Sequence, residues 1–138
     1  MSDARFNDIS FQRFLGEDRL MGCRCRSCGA QFVPPKPLCS KCHGGDLEWV
    51  EYDGRGTLAA FTCIRIVPPT MQPWGYGRDR PYCSGVVDLA AGGRVVALID
   101  EVDPIRPDTI AVGMPVSVKY LHQGEGDARR TLLAFRPA

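Results

Sequence analysis

Histidine is scarce in this chain, with 2 among 138 residues. His43 and His122 leave few ways to build a nucleophile with its base, so catalysis by the chain alone is not expected. No apolar run approaches the roughly 18 residues that a membrane-spanning helix needs. The stretch from Met1 to Asp8 lacks the apolar core of a secretory signal, and a cytoplasmic location is expected. An excess of one charge sign is missing too. Lys plus Arg number 17 and Asp plus Glu number 16, for a net charge of +1. Proteins that live on phosphate backbones carry more positive charge than this.

Cysteine, in contrast, is plentiful at 7 residues, and the count is odd. In a chain without a secretory signal this points to thiols and a metal site rather than a disulfide framework. The length suits one domain, or two small ones where the second has help.

Two pairs carry the strongest signal. Cys25-Arg26-Ser27-Cys28 is followed after ten intervening residues by Cys39-Ser40-Lys41-Cys42. Each Cys-x-x-Cys turn offers two thiolates to one ion, and four thiolates close a tetrahedron around zinc. Gly29 follows the first pair, where a tight knuckle favours positive φ. A closed four-sulfur site is structural, because a catalytic zinc keeps a position open. Redox Cys-x-x-Cys motifs sit beside βαβ patterns, and none occurs here. Iron is the open alternative at four sulfurs. Cys23 lies two residues before Cys25 and is left out of the set. Cys63 and Cys83 fall in strand-like segments and read as small buried apolar residues.

The chain divides into three parts by pattern. Residues 1–22 hold a short helix, since Phe11, Phe14 and Leu15 fall on one helical face, with Ser10 as N-cap and Gly16 as stop. That face either packs on its own chain or docks on a partner; a helix this short needs one or the other. Residues 23–48 are rich in Cys, Pro and Gly and form the metal ribbon, with the small positive excess of the chain. Residues 49–138 read as β. Strands are expected at Trp49–Asp53, Thr57–Val67, Tyr82–Leu89, Arg94–Asp100, Pro115–His122 and Thr131–Phe135, with a hairpin turn at residues 90–93 and one helical turn between Pro104 and Gly113. That number of short strands with one odd connection suggests a small barrel or sandwich.

The segment from Val67 to Pro81 stands apart. Trp74 and Tyr76 lie among prolines and glycines beside Arg78 and Arg80. Three readings are open: the loop folds back with Trp74 over the barrel end, it contacts a partner, or it stacks on and pairs with coenzyme A. Arg55 reads as a satisfied turn residue or as a ligand contact. Asp100, Glu101 and Asp103 read as solvated loop acids.

The motifs together resemble a known family. They run Phe14-Leu15, Leu20, Cys25 to Gly29, Pro34-Pro35-Lys36, Cys39 to Cys42, Glu48-Trp49 and Gly54-Arg55-Gly56-Thr57 into Phe61-Thr62. They continue with Val86 to Leu89, Asp103-Pro104, Ile110, Gly113-Met114-Pro115-Val116 and Phe135 to Ala138. The chain is similar in this to the acyl-CoA-associated zinc-ribbon and OB-fold proteins. The resemblance implies a mainly β fold: an N-terminal helix, a rubredoxin-like zinc ribbon and a C-terminal OB-fold barrel. It also implies one structural Zn²⁺ and a non-catalytic role beside a thiolase-superfamily enzyme, assisting acyl-CoA binding or turnover. Phe11, Phe14, Arg55, Trp74, Tyr76, Arg78 and Arg80 are the candidate contacts to that partner or to CoA. Lys36 stands where the family usually has Arg. The long 67–81 loop resembles the catabolic branch, where such chains serve as small subunits of acyl-CoA thiolases. The competing reading is a zinc-ribbon OB protein that binds single-stranded nucleic acid. That function wants a basic groove with stacked aromatics, whereas residues 49–138 carry ten charges of each sign.

Overall fold

The computed structural model describes residues 5–126 and 129–138. A nine-residue helix, α1 (Asp8–Gly16), opens the chain. Its N-cap is Asn7 rather than Ser10. Asn7 is extended, and its side-chain oxygen accepts the Ser10 N–H at 3.0 Å. Ser10 therefore sits in the first turn as the capped donor, with its own side chain buried. The helix ends as Glu17 and Asp18 return their N–H groups to Phe14 and Leu15, with Asp18 in the left-handed region.

Three strands follow: β1 (Leu20–Cys25), β2 (Gln31–Phe32) and β3 (Leu47–Tyr52). They form an antiparallel sheet in the order β2-β1-β3. β1 is a strand that the sequence pattern leaves unmarked. Five of its six residues are buried, so it lacks the alternation that reveals a half-exposed strand. Gly22 is required at its centre, since a Cβ there would lie 2.5 Å from the Phe32 carbonyl oxygen. β3 crosses position 49, and by pairing it belongs to this small sheet rather than to the barrel.

Gly54 turns the chain from β3 into the barrel. Its φ of +84° and the 2.1 Å approach of its hypothetical Cβ to Val118 Cγ1 both demand glycine. Five strands then close: β4 (Arg55–Ile64), β5 (Tyr82–Leu89), β6 (Arg94–Ile99), β7 (Pro115–Gln123) and β8 (Arg130–Pro137). Their order is β4-β5-β6-β8-β7, with β7 returning to β4. All pairs are antiparallel except β6 with β8. This is the expected OB-type barrel. The single helical turn expected before Gly113 is a 3₁₀ turn at Pro107–Thr109.

Leu58, Val87, Val95, Ile99, Val116, Leu133 and Phe135 fill the barrel. Phe11 and Leu15 of α1, with Val33 and Tyr52 from the ribbon, join the same core. Ribbon, helix and barrel thus share one apolar interior. Polar groups tie them as well. The Tyr52 hydroxyl donates to Gln31 Oε1 at 2.7 Å, and Gln31 Nε2 donates to the Ala91 carbonyl at the β5–β6 turn.

The apolar face of α1 is therefore covered by its own chain. Phe14 is 2% exposed and meets Trp49 edge-on with ring centroids 5.1 Å apart, while Phe6 stacks on the same indole. The expectation of Phe11 and Phe14 as partner contacts is corrected here: both are buried inside the chain.

The segment between β4 and β5 forms a 3₁₀ helix (Pro69–Trp74) and then folds back. It covers the outer wall of the barrel rather than its end. In β6 and β8, Val95, Ala97, Ile99, Leu133 and Phe135 face inward, so Leu98, Leu132 and Ala134 alternate outward. Met71, Trp74 and Tyr76 pack on those outward residues. Tyr76 is buried and sits on Tyr82 at 5.1 Å, which corrects the reading of Tyr76 as an exposed contact.

Candidate metal centre and arginine-lined groove

The four sulfurs expected to bind metal come together. Cys25 and Cys28 lie at the end of β1 and in the turn after it, and Cys39 and Cys42 in a second turn. One ligand atom from each lies within 4.8 Å of all the others. Cys25 Sγ is 3.5 Å from Cys42 Sγ, and Cys28 Sγ is 3.5 Å from Cys39 Sγ. Four sulfurs at the zinc–thiolate bond length stand about 3.8 Å apart in a tetrahedron. The set fits zinc on spacing and on donor chemistry.

Each knuckle is held by its own backbone. Gly29 N–H donates to the Cys25 carbonyl and His43 N–H to the Cys39 carbonyl, both at 2.8 Å. Gly29 and His43 take positive φ to do so. The backbone N–H of Cys28 lowers the Cys25 thiol, and that of Cys42 brings Cys39 down to about 6. Those N–H groups favour the thiolate form that a metal requires. Cys23 lies apart, buried in β1, and accepts the Lys36 N–H at 3.4 Å.

The second feature is a groove of about 820 Å³ between α1, the 3₁₀ segment and the β7–β8 hairpin. Arg13, Arg129 and Arg130 line it with Trp74, against Glu17 as the opposing charge. The Arg130 guanidinium lies 5.9 Å from the Trp74 ring centroid and donates to Gln123 Oε1 at 2.8 Å. Gln123 in turn donates to the Pro73 carbonyl, tying the hairpin to the 3₁₀ segment. Three guanidiniums beside an indole make a surface suited to anions and to flat rings.

Two family models cover the chain. One, described as the ChsH2 rubredoxin-like zinc ribbon domain, matches residues 14–48. The other, described as the ChsH2 C-terminal OB-fold domain, matches residues 49–121. The chain belongs to the ChsH2 family. A DUF35 domain-containing scaffold protein of Methanothermobacter thermautotrophicus is 30% identical over 122 residues, covering 86% of each chain. A probable enoyl-CoA hydratase alpha subunit of Thermomonospora curvata is 34% identical over 120 residues, or 87% of this chain. The chain spans only 34% of the length of that larger relative. Among solved structures, one described as an Ltp2-ChsH2(DUF35) aldolase aligns with a TM-score of 0.73 and 28% identity. It covers 99% of this chain and 98% of that one.

In this ChsH2-family chain, Cys25, Cys28, Cys39 and Cys42 hold one structural zinc ion. The other candidate residues are scattered. Arg55 is the exposed first residue of β4, and its guanidinium pairs with Asp53 at 2.9 Å. The Arg55 N–H first, and its guanidinium second, hold the Asp53 carboxyl below its usual range. Arg80 stacks on Tyr76 at 4.6 Å and reaches the Trp74 carbonyl, while Arg78 is exposed. Trp74 alone of the seven candidates lines the large groove. Its arginine neighbours were missed because they lie far apart in sequence, and only the tandem Arg129-Arg130 after a glycine loop hints at them. Among the described residues no helix is long and apolar enough to cross a membrane.

Proposed function

We propose that this chain is a non-catalytic subunit that binds a thiolase-superfamily enzyme and assists acyl-CoA binding or turnover. The observation that carries the reading is the alignment of 99% of the chain with one from a structure described as an aldolase with ChsH2. Relatives named as scaffold proteins support a role in assembly, and one named as an enoyl-CoA hydratase subunit supports acyl-CoA metabolism. The zinc ribbon supplies a rigid base in this reading, not chemistry. Its four-thiolate donor set leaves no position for substrate.

The groove around Trp74 is the favoured contact surface, with Arg13, Arg129 and Arg130 meeting the acidic or phosphate-bearing part of the complex. Arg55, Arg78 and Arg80 lie outside the lining of the groove and stay as further candidate contacts. Guanidiniums pair bidentately with carboxylate or phosphate, and an indole anchors by area. The test is binding of the zinc-loaded chain to a thiolase-type enzyme from the same genome. Trp74→Ala and Arg130→Ala should each weaken binding by about tenfold or more. The isolated chain should show no steady turnover of acyl-CoA thioesters. Wild-type affinity in both variants removes the groove from the interface. Binding of single-stranded nucleic acid with a steep salt dependence, and of no thiolase, overturns the reading in favour of the nucleic-acid alternative.

A further inference from the structure

Of the three cysteines outside the metal set, Cys63 and Cys83 form a pair, while Cys23 lies apart in β1. Cys63 near the end of β4 and Cys83 near the start of β5 are direct cross-strand partners. Their sulfurs approach to 2.6 Å. Opposed residues in an antiparallel pair have Cα atoms about 4.5–5.5 Å apart, inside the window that a disulfide spans. Both side chains face the barrel interior, since Phe61 and Val87, two and four residues away on the same strands, pack in the same core. Cys83 also lines a cavity of about 280 Å³ at the barrel mouth, with Ile99, Val102 and Pro104.

The geometry points to Cys63 and Cys83 as a reversible dithiol–disulfide pair, oxidised by a low-molecular-weight disulfide. This goes beyond the partner role above and stands independently of it. The two thiols are not equivalent. Cys83 is 1% exposed, and burial, then the neighbouring Cys63, pushes its thiol up to about 12. Cys63 is partly exposed and is the sulfur that an oxidant meets first. The Cys63 thiolate attacks the disulfide RSSR, forming a mixed disulfide and releasing RS⁻, which takes up a proton. With its charge gone, Cys63 no longer opposes ionisation of Cys83. Cys83 then attacks the Cys63 sulfur and displaces the second RS⁻, and its proton leaves with that group. Two protein thiols and RSSR become one protein disulfide and two RSH.

The place of the pair gives the bond its effect. Ile64↔Tyr82 is the next and last pair before β4 and β5 separate. A bond at 63–83 would staple the stem of the 65–81 segment, which carries Trp74 and Arg80.

The experiment uses the full zinc-loaded chain under native conditions. Incubate it with oxidised glutathione, block free thiols with N-ethylmaleimide, digest, and map the peptides by mass spectrometry. The expected product is a Cys63–Cys83 linked peptide, with zinc content unchanged and full reversal by dithiothreitol. The oxidised protein should melt about 5 °C or more above the reduced form, because the link restrains the unfolded chain. Cys83→Ser should instead accumulate one glutathione on Cys63. Cys63→Ser should form neither product. Two results overturn the inference: a wild-type chain that keeps glutathione on Cys63 without releasing it, or a Cys63–Cys83 link that forms only after denaturation.

Discussion

Phe14→Ala distinguishes a helix that belongs to the core from one held ready for a partner. The ring is 2% exposed, so its truncation removes nearly the whole benefit of burying it. The space left behind is bounded by Trp49, which Phe6 holds from its other side at 4.7 Å. That stacked indole cannot slide far to fill it. Truncation of a buried Phe costs about 3–5 kcal/mol, and the rigid wall places this site near about 4 kcal/mol. The guanidiniums of the exposed Arg13 and the half-buried Arg19, at 5.5 and 5.3 Å from the ring centroid, add about 1 kcal/mol or less each. Against a total stability of about 5–15 kcal/mol the loss is large. The control lies on the same helix. Ile9 is 80% exposed, and Ile9→Ala should stay within about 0.5 kcal/mol of wild type. Equilibrium urea unfolding, followed by circular dichroism on zinc-loaded protein, measures both. A Phe14→Ala variant within about 1 kcal/mol of wild type would refute this packing and return the helix face to the partner reading.

Purified protein should contain about one zinc per chain, and Cys39→Ser should lose most of it. Chelation should unfold the ribbon sheet and lower the stability of the barrel, with which Val33 and Tyr52 share a core; a chelated chain that melts like the holo form would contradict this. Lys119 joins Asp100 at 2.8 Å and Glu101 at 3.1 Å. Burial raises the Asp100 carboxyl, but the Lys119 hydrogen bond, the Glu101 N–H and the charges of Lys119 and Arg80 together outweigh it, and the net direction is down. That contribution is present above the ordinary carboxylate range and is lost as pH falls through the depressed value. The modest deficit of Lys119→Ala in thermal melts should therefore be seen at pH 7 and vanish at strongly acid pH. A deficit independent of pH would point to lost packing instead.

The metal centre and the barrel strands were legible in the sequence for clear reasons. Thiolate spacing is a geometric code, and the strands of β4 to β8 stand between turn residues. β1 was not legible, because burial on both faces erases its period. The role of the 67–81 segment was partly written in its neighbours. Val95 to Ile99 and Leu132 to Phe135 are unbroken apolar runs, the mark of strands covered on both faces. Met71, Trp74 and Tyr76 cover the outer wall at Leu98, Leu132 and Ala134, while Val96 stays exposed. The groove was invisible because it joins a helix, a 3₁₀ turn and a hairpin that meet only in three dimensions.

The hydrogen-bonded link from Tyr52 through Gln31 to Ala91 bears on how such a chain can be moved between proteins. A cut between residues 48 and 49, where the two family models meet, would fall inside β3, part most of it from β1, and leave Tyr52 without Gln31. The transplantable cassette is ribbon and barrel together, fused whole or not at all. The relative from Thermomonospora curvata fits this pattern. Its resemblance runs through 120 residues, 87% of this chain, within a much larger protein.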